Sequence, residues 1–305
     1  MKKIILAGGS GFLGSILQEY FKDKCQQIIV LSRKSYVEKD NIRFMEWDGI
    51  SLGTWAVELE NADAVINLSG RSVDCRYTQK NREAIFSSRL LSTKAIGTAI
   101  HQCVSPPKVW LNSSTATIYR HSLDKQMDEF EGEIGSGFSV NVAQAWERSL
   151  FSFRTPNTRK VAMRTSIVFG KRGGAFIPIL NLAKVGFGGK QGIGNQFVSW
   201  IHETDFARSV QYLLNNPELS NSVNLVSPIP VTNKLLMQTI RQKLGIPLGV
   251  PLGKLPLEIG ARIIKTETEL ILKSRNVIPK KLQIAGFEFQ YPNIESCLTD
   301  LLSKS

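Results

Sequence analysis

Apolar residues fall in short runs separated by amphipathic stretches through the first two-thirds of the chain. Runs of about four to eight apolar residues read as strands covered on both faces, and apolar positions about three or four apart read as helices. Strands are predicted at Lys3–Ala7, Gln27–Leu31, Ile42–Glu46, Ala64–Leu68, Lys108–Asn112 and Val161–Val168. A further strand of the same sheet is predicted at Val223–Val226. Helices are predicted at Phe12–Phe21, where Leu13, Leu17 and Phe21 recur every fourth residue, at Arg82–Gln102 and at Val140–Phe151. Strands alternating with helices give an α/β fold, a doubly wound parallel sheet with right-handed crossovers. The pattern changes after Gly170. Residues 171–196 are rich in glycine and lysine but still punctuated by apolar positions, which predicts a partly ordered excursion over a site rather than a linker. Residues 231–305 predict two or three helices and a short strand at Phe287–Tyr291. The expected division is a larger unit at 1–230 and a smaller C-terminal α/β unit at 231–305 that covers a substrate cleft.

Composition narrows the chemistry. The chain has 305 residues, of which 42% are apolar and 21% charged, enough to bury a sizeable core. Lys plus Arg is 38 and Asp plus Glu is 26, a formal charge of +12 that favours anionic partners. The basic residues are dispersed, and no helix-turn-helix, zinc or aromatic-rich RNA signature accompanies them, so nucleic acid is not an expected partner. No run approaches the roughly 18 apolar residues of a membrane span, and no membrane partner is expected. The apolar run after Lys2-Lys3 stops at Gly8, too short for a signal segment, and a cytoplasmic address is expected. The four cysteines form no closely spaced pair and there are three histidines, so no metal is expected.

The strongest local signal is Gly8-Gly9-Ser10-Gly11-Phe12-Leu13-Gly14, between the first predicted strand and the first predicted helix. Gly8 allows a tight turn at positive φ, Gly11 lets a pyrophosphate approach the backbone, and Gly14 lets helix and strand pack closely. The helix start offers unpaired N–H groups to the anion. The loop residues Gly8, Ser10, Gly11, Phe12, Leu13 and Gly14 are therefore candidate cofactor contacts in a Rossmann-type domain. The second strand then ends in Ser32-Arg33-Lys34, with no carboxylate until Glu38. An acidic residue there would hold the ribose hydroxyls of NAD, whereas Arg and Ser suit a 2′-phosphate. NADP(H) is the expected cofactor, with Ser32, Arg33 and Lys34 as candidate contacts.

The glycine spacing together with Asn67-Leu68-Ser69-Gly70, Ser113-Ser114-Thr115-Ala116-Thr117-Ile118-Tyr119 and Trp200-Ile201-His202-Glu203-Thr204-Asp205 resembles the extended short-chain dehydrogenase/reductase superfamily. Arg76-Tyr77-Thr78, Ser87-Ser88-Arg89, Gly173-Gly174-Ala175 and Ile278-Pro279-Lys280-Lys281-Leu282 are similar to an atypical NAD(P)-dependent branch, the "epimerase family protein" group with its own C-terminal domain of unknown function. The resemblance implies that Asp48 accepts from the adenine amino group. It implies that Asn67, Leu68, Ser69, Gly70 and Arg89 lie with the cofactor, and that the Thr115 hydroxyl bonds the reacting oxygen. The superfamily's proton donor is a Tyr four residues before a Lys on the helix after the fifth strand. Aligned on Glu147, those positions are Ser139 and Ala143, and neither can do that work. Tyr119, four residues past Thr115, is the candidate surrogate phenol, though core packing is its favoured reading. His202 is expected to hold a junction, and Arg76 and Lys80 either bind an anionic substrate or form a solvated helix start.

These residues predict an NADP(H)-binding oxidoreductase or epimerase acting on a small-molecule substrate, as a monomer or homodimer. The alternative is a dinucleotide-binding sensor or scaffold with little or no catalytic power.

Overall fold

The computed structural model describes residues 1–34, 36–253, 255–258, 267 and 269–303. Its strands are β1 (Lys3–Ala7), β2 (Gln27–Ser32), β3 (Ile42–Glu46), β4 (Ala64–Asn67), β5 (Val109–Thr115), β6 (Arg159–Thr165), β7 (Ile167–Phe169), β8 (Phe197–Val198), β9 (Trp200–His202), β10 (Asn221–Leu225) and β11 (Val231–Thr232). Its helices are α1 (Phe12–Phe21), α2 (Gln79–Gln102), α3 (Phe138–Phe151), α4 (Phe176–Leu182), α5 (Glu203–Asn215), α6 (Asn233–Lys243), α7 (Glu269–Leu272), α8 (Lys280–Ile284) and α9 (Ile294–Leu302).

Seven strands pair side by side in the order β3-β2-β1-β4-β5-β6-β10. Every pairing within this sheet is parallel. Alternate residues feed two apolar layers, because successive side chains leave opposite faces of a strand. Ile4, Leu6, Val30, Ile66, Leu111 and Met163 pack with Leu17 and Phe21 of α1 and with Phe206 and Val210 of α5. Ile5, Ile29, Val65 and Trp110 pack with Ile96 and Ile100 of α2 and Leu150 of α3. The strand order reverses between β1 and β4, where Ala7 faces Asn67. That reversal opens a crevice at the carboxyl ends of the strands, the usual ligand position in such sheets.

Two sequence expectations fail for identifiable reasons. The apolar run Val161–Val168 is not one strand. At Ser166 the backbone N–H donates to Leu225 O (3.2 Å), and the chain leaves the main sheet. Residues Ile167–Phe169 pair instead with Trp200–His202. No strand forms at Phe287–Tyr291. The N–H groups of Gln290 and Tyr291 donate to the Asp205 carboxylate (2.9 and 2.7 Å) rather than to a neighbouring strand. The alternation of Phe287, Phe289 and Tyr291 reflects packing without a ladder. Side chains on both sides of position 230 share one apolar cluster: Phe169, Phe176 and Trp200 pack with Leu236, Ile240 and Leu298. Leu282 and Phe287 join the layer beneath the main sheet.

His202 is buried at the end of β9. Its Nδ1 accepts from Thr204 N (3.0 Å), so Nε2 carries the proton toward Asp300 Oδ2 (3.2 Å) on α9. Burial lowers its pKa, against the pull of Asp300, Glu203 and Asp205. Deeper in the fold, Arg164 of β6 makes a two-pronged bond to Glu147 of α3, with Nε and Nη2 each 2.8 Å from a carboxylate oxygen. Ser114 Oγ of β5 donates to Glu147 Oε1 (2.6 Å).

Two stability outcomes follow from these buried groups. Removing one partner of a buried pair leaves an uncompensated charge, so Glu147→Ala should lower the unfolding free energy by about 3–5 kcal/mol. In urea titrations, replacing both Glu147 and Arg164 by Met should cost less than Glu147→Ala alone, and a larger cost would refute this account. For His202 the folded pKa lies below the unfolded value, so the unfolded chain binds the extra proton. Its contribution is present above the unfolded value near pH ~6.5 and is lost as pH falls below it. His202→Phe should flatten the fall in the urea midpoint between about pH 7 and 5.5 relative to the parent chain.

Candidate functional site

The turn after β1 is built for close approach. Gly8 has φ +70, a conformation that costs glycine little, and its N–H donates to Leu31 O (2.9 Å). A Cβ on Gly14 would lie 1.9 Å from Gly9 O, so α1 can start against the turn only with glycine there. A Cβ on Gly11 would meet nothing nearer than Gly8 O at 3.9 Å, so that face of the turn is open. Gly11 is also the N-cap of α1 and supplies no side-chain cap. The first N–H groups of the helix therefore have neither an intrahelical nor a side-chain acceptor, the arrangement that receives an anion. Ser10 is exposed beside them. The ring of Phe12 packs under Gly173 and Gly174, and Leu13 packs on the core layer. Phe12 and Leu13 thus offer backbone, not side chain, to the crevice.

Across the crevice, Ser69 Oγ is buried without a hydrogen-bond partner. A Cβ on Gly8 would come within 2.8 Å of it. This orphaned hydroxyl beside an open glycine cradle and an uncapped helix start fits a dinucleotide phosphate. Leu68 N donates to Ala7 O (2.8 Å) and holds the two strand ends together. Asn67 departs from its expected role of lining the cofactor. Its side chain is wholly buried, donating to Asn112 Oδ1 (2.7 Å) and accepting from Ser69 N (3.0 Å). It shapes the Ser69 turn from below.

At the end of β2, Arg33 and Lys34 are exposed and neither side chain has a carboxylate partner among the described residues. Ser32 is buried, and its hydroxyl donates to Lys34 O, so it closes the turn that presents the two cations. Asp48, after β3, uses Oδ1 to accept from Ile50 N (2.7 Å) and Ser51 N (2.8 Å). Those backbone donors hold its pKa below the usual carboxylate value. The side-chain contacts of Asp48 are thus those of a turn.

Arg89 of α2 lies against Gly70, where a Cβ would be 3.2 Å from its Cζ. Its Nη1 donates to Arg71 O (3.0 Å) and Ile85 O (2.9 Å), and its Cζ sits 5.0 Å from the Trp146 ring centre. Burial pushes its pKa down to about 10. No carboxylate among the described residues pairs with it.

On β5 the hydroxyls divide. Ser114 is bound to Glu147, while Thr115 is half-buried, its Oγ1 donating to Thr117 Oγ1 (3.0 Å) and accepting from Thr117 N (3.1 Å). Tyr119 is corrected as a surrogate acid. It is 0% exposed, its hydroxyl donates to Asn224 Oδ1 (3.0 Å), and Arg164 Nη1 donates to that hydroxyl (2.9 Å). Those contacts are packing within the core. Ala143 packs in the same small cluster as Tyr119. Arg76 pairs with Glu267 (3.2 Å), and Lys80 is exposed at the start of α2.

The residues that sequence reasoning passed over are Tyr77 and Arg275. The Tyr77 ring meets Phe138 edge-on at 5.0 Å, at the start of α3. Burial pushes the Arg275 pKa down to about 10, opposed by the charge of Glu269. The sequence marks Tyr77 only as part of the Arg76-Tyr77-Thr78 motif, and nothing near Arg275 marks it at all. Among the described residues no group of His, Cys, Asp and Glu is set to hold a metal ion. A surface cavity of about 530 Å³ lies at the amino ends of the strands, beside Met1, Asp63 and Lys108, away from the crevice.

Comparison with known proteins agrees with this geometry. Residues 4–225 match the NAD dependent epimerase/dehydratase family, and residues 258–301 match a domain of unknown function, DUF1731. An epimerase family protein of Staphylococcus aureus (strain bovine RF122) is 30% identical over 306 residues, with 100% of each chain covered. Epimerase family protein YfhF of Bacillus subtilis is 30% identical over 302 residues, with 98% of each covered. The crystal structure of human epimerase family protein SDR39U1 (isoform 2) with NADPH has a TM-score of 0.86 at 27% identity, with 98% of each chain covered. A glycine turn at a strand-order reversal, matched over most of the chain, places this protein in the NAD dependent epimerase/dehydratase family.

Proposed function

We propose that the protein binds NADP(H) and uses it as an oxidoreductase or epimerase on a small-molecule substrate. One observation carries the choice of cofactor. Arg33 and Lys34 stand exposed and without carboxylate partners at the end of β2, where a carboxylate would serve NAD. NADPH in the human relative supports the same reading. The N–H groups at the start of α1, with Ser10, Ser69 and Gly70, would hold the phosphates and ribose, and Arg33 and Lys34 the 2′-phosphate. The nicotinamide supplies hydride chemistry when bound. The Thr115 hydroxyl, half-buried at the carboxyl end of β5, turns toward a substrate oxygen and steadies charge there. The reading takes a cytoplasmic monomer or homodimer with no nucleic-acid or membrane partner. Among the described residues no helix is long and apolar enough to cross a membrane. The absence of a phenol and an ammonium at Ser139 and Ala143 favours one alternative, a dinucleotide-binding sensor or scaffold.

Calorimetry with NADPH and NADH at one salt concentration tests the cofactor. A charge-assisted bond is worth about 1.5–3 kcal/mol, so Arg33→Ala should reduce the preference for NADPH by roughly ten- to a hundredfold. Equal affinities in the parent chain would sink the assignment.

Gly11→Val tests the phosphate site. Gly11 has φ −85 and ψ −179, an extended conformation that valine adopts, and its Cβ has room. The variant should fold with an unchanged urea midpoint while its branched methyls fill the open face and abolish dinucleotide binding. Tight binding by the folded variant would rule this loop out.

A further inference from the structure

We propose that Tyr77 and the Arg89 guanidinium of α2 supply, from the α2 side, the proton-transfer pair that α3 lacks at Ser139 and Ala143. The inference rests on the dinucleotide reading above and adds the residue that handles the proton.

Positions 139, 143 and 146 share one face of α3, being four and three residues apart. Something from outside the helix stands against each end of that face. At its start, the Tyr77 ring packs edge-on against Phe138 at 5.0 Å. The Ser139 hydroxyl is buried without a hydrogen-bond partner and borders the Tyr77 phenol. One turn beyond Ala143, the Arg89 guanidinium lies over Trp146 at 5.0 Å. Trp146 Nε1 donates to Thr93 Oγ1 (3.1 Å), which fixes α2 against α3 and holds Arg89 at that height. A phenol and a permanent cation therefore flank the face where the missing pair would project.

Tyr77 is held for such a role. Its backbone N–H donates to Glu267 Oε1 (2.7 Å), and Glu267 Oε2 pairs with Arg76 Nη1 (3.2 Å). The next residue, Thr78, caps α2 by accepting from Asn81 N (3.3 Å). The ring is partly exposed, unlike that of Tyr119, which is closed off in the core.

The charged groups around the phenol come from every element packed on it. Arg89 and Arg82 come from α2, with Arg82 Cζ 5.9 Å from the Tyr77 ring centre. Arg275, Glu267 and Glu269 come from the C-terminal segment, and Cys75 from the loop before Tyr77. Burial raises the phenol's pKa, and Ser139 opposes that rise, while Glu269, Cys75 and Glu267 add to it. Tyr77 interacts electrostatically with both Arg89 and Arg275. Arg89 is bonded to carbonyls and not to a carboxylate, so its positive field remains available to a phenolate. That is the electrostatic service an ammonium would perform.

The proton balance is simple. In the reducing direction the phenol O–H bond breaks and an O–H bond forms on the substrate oxygen, while the electron pair arrives as hydride from the reduced nicotinamide. The phenolate then recovers a proton from solvent. The reverse direction runs the same transfers backward.

Protein labelled with ¹³C at the tyrosine ζ carbon reports each phenol's ionisation by NMR. The chain has 6 tyrosines, and the resonance missing in Tyr77→Phe identifies Tyr77. Saturation with NADP⁺, whose ring is positively charged, should raise the Tyr77 ionisation constant at least about tenfold. NADPH, with a neutral ring, should raise it less, and the Tyr119 resonance should not respond. Arg89→Gln should lower the Tyr77 constant by about threefold or more, and Arg89→Lys should restore it. Should calorimetry show NADP⁺ bound while the Tyr77 constant stays within about twofold, the proposal fails and the cofactor reading survives. If neither dinucleotide binds, the cofactor reading fails and the proposal falls with it.

Discussion

Glu147 is the carboxylate that compensates the buried charge of Arg164. Burial opposes its charge, and the two-pronged bond to Glu147 more than restores it, holding its pKa above the usual value. The pair sits where α3, β5, β6 and β10 converge: Ser114 of β5 and Ser222 of β10 both donate to the same carboxylate (2.6 and 3.3 Å). The network then runs outward from Arg164 through Tyr119 to Asn224, whose Nδ2 donates to Ile278 O (2.9 Å). Such a satisfied polar network fixes geometry even where its net stabilisation is small, because every alternative packing strands a charge. It sets the height of α3 on the sheet, and so places Phe138 and Ser139 where the Tyr77 loop meets them.

Charge pairing elsewhere sharpens the contrast at the crevice. Arg43 with Glu58, Lys108 with Asp63, and Arg120 and Lys125 with Glu133 are matched at the surface. Arg33, Lys34 and Arg89 are not matched among the described residues. Arg275 shares Glu269 with Lys273, the latter at 2.9 Å and Arg275 at 3.9 Å. Arg33 and Lys34 stand at the carboxyl end of β2, beside the crevice, where low-dielectric walls strengthen their field toward an anion.

The centre of the main sheet was legible because β1, β2 and β4 are nearly continuous apolar runs, as a parallel sheet buried on both faces requires. The glycine turn was legible because its demands are local: a positive φ at Gly8 and a missing Cβ at Gly14. The failures share a different cause. Ser166 looks like an interior strand residue, and only the pairing of the next residues with distant Trp200–His202 reveals that the chain changes sheets there. Phe287–Tyr291 alternates like a strand, but its amides are taken by Asp205, 85 residues away in sequence for Gln290. The sequence offered Tyr119 as a phenol and marked Tyr77 only as part of a motif. Burial separates them, since one ends against Arg164 and Asn224 and the other at the open side of α3. Asn67 likewise sits in a motif that points to the cofactor, while its side chain is consumed by Asn112 and Ser69.

The two halves of the site depend on different parts of the chain. On the proposed reading the phosphate side lies within the first seventy or so residues: the glycine turn, Arg33, Lys34 and Ser69 all come from there. The Tyr77 side does not. Its backbone is tied to Glu267, its field includes Arg275, and Arg275 N donates to Phe197 O (2.8 Å). Nearby, Ser199 Oγ accepts from Val277 N (2.9 Å), so the segment that carries Arg275 is stitched to the strands after the glycine-rich excursion. The C-terminal region thus does more than cover the sheet. On the proposed reading it tensions the loop that carries the phenol, so that dinucleotide affinity and proton transfer are governed by separate sets of contacts. On this reading the cofactor site can stand without a helix pair at Ser139 and Ala143, because the glycine turn, Arg33, Lys34 and Ser69 lie outside α3.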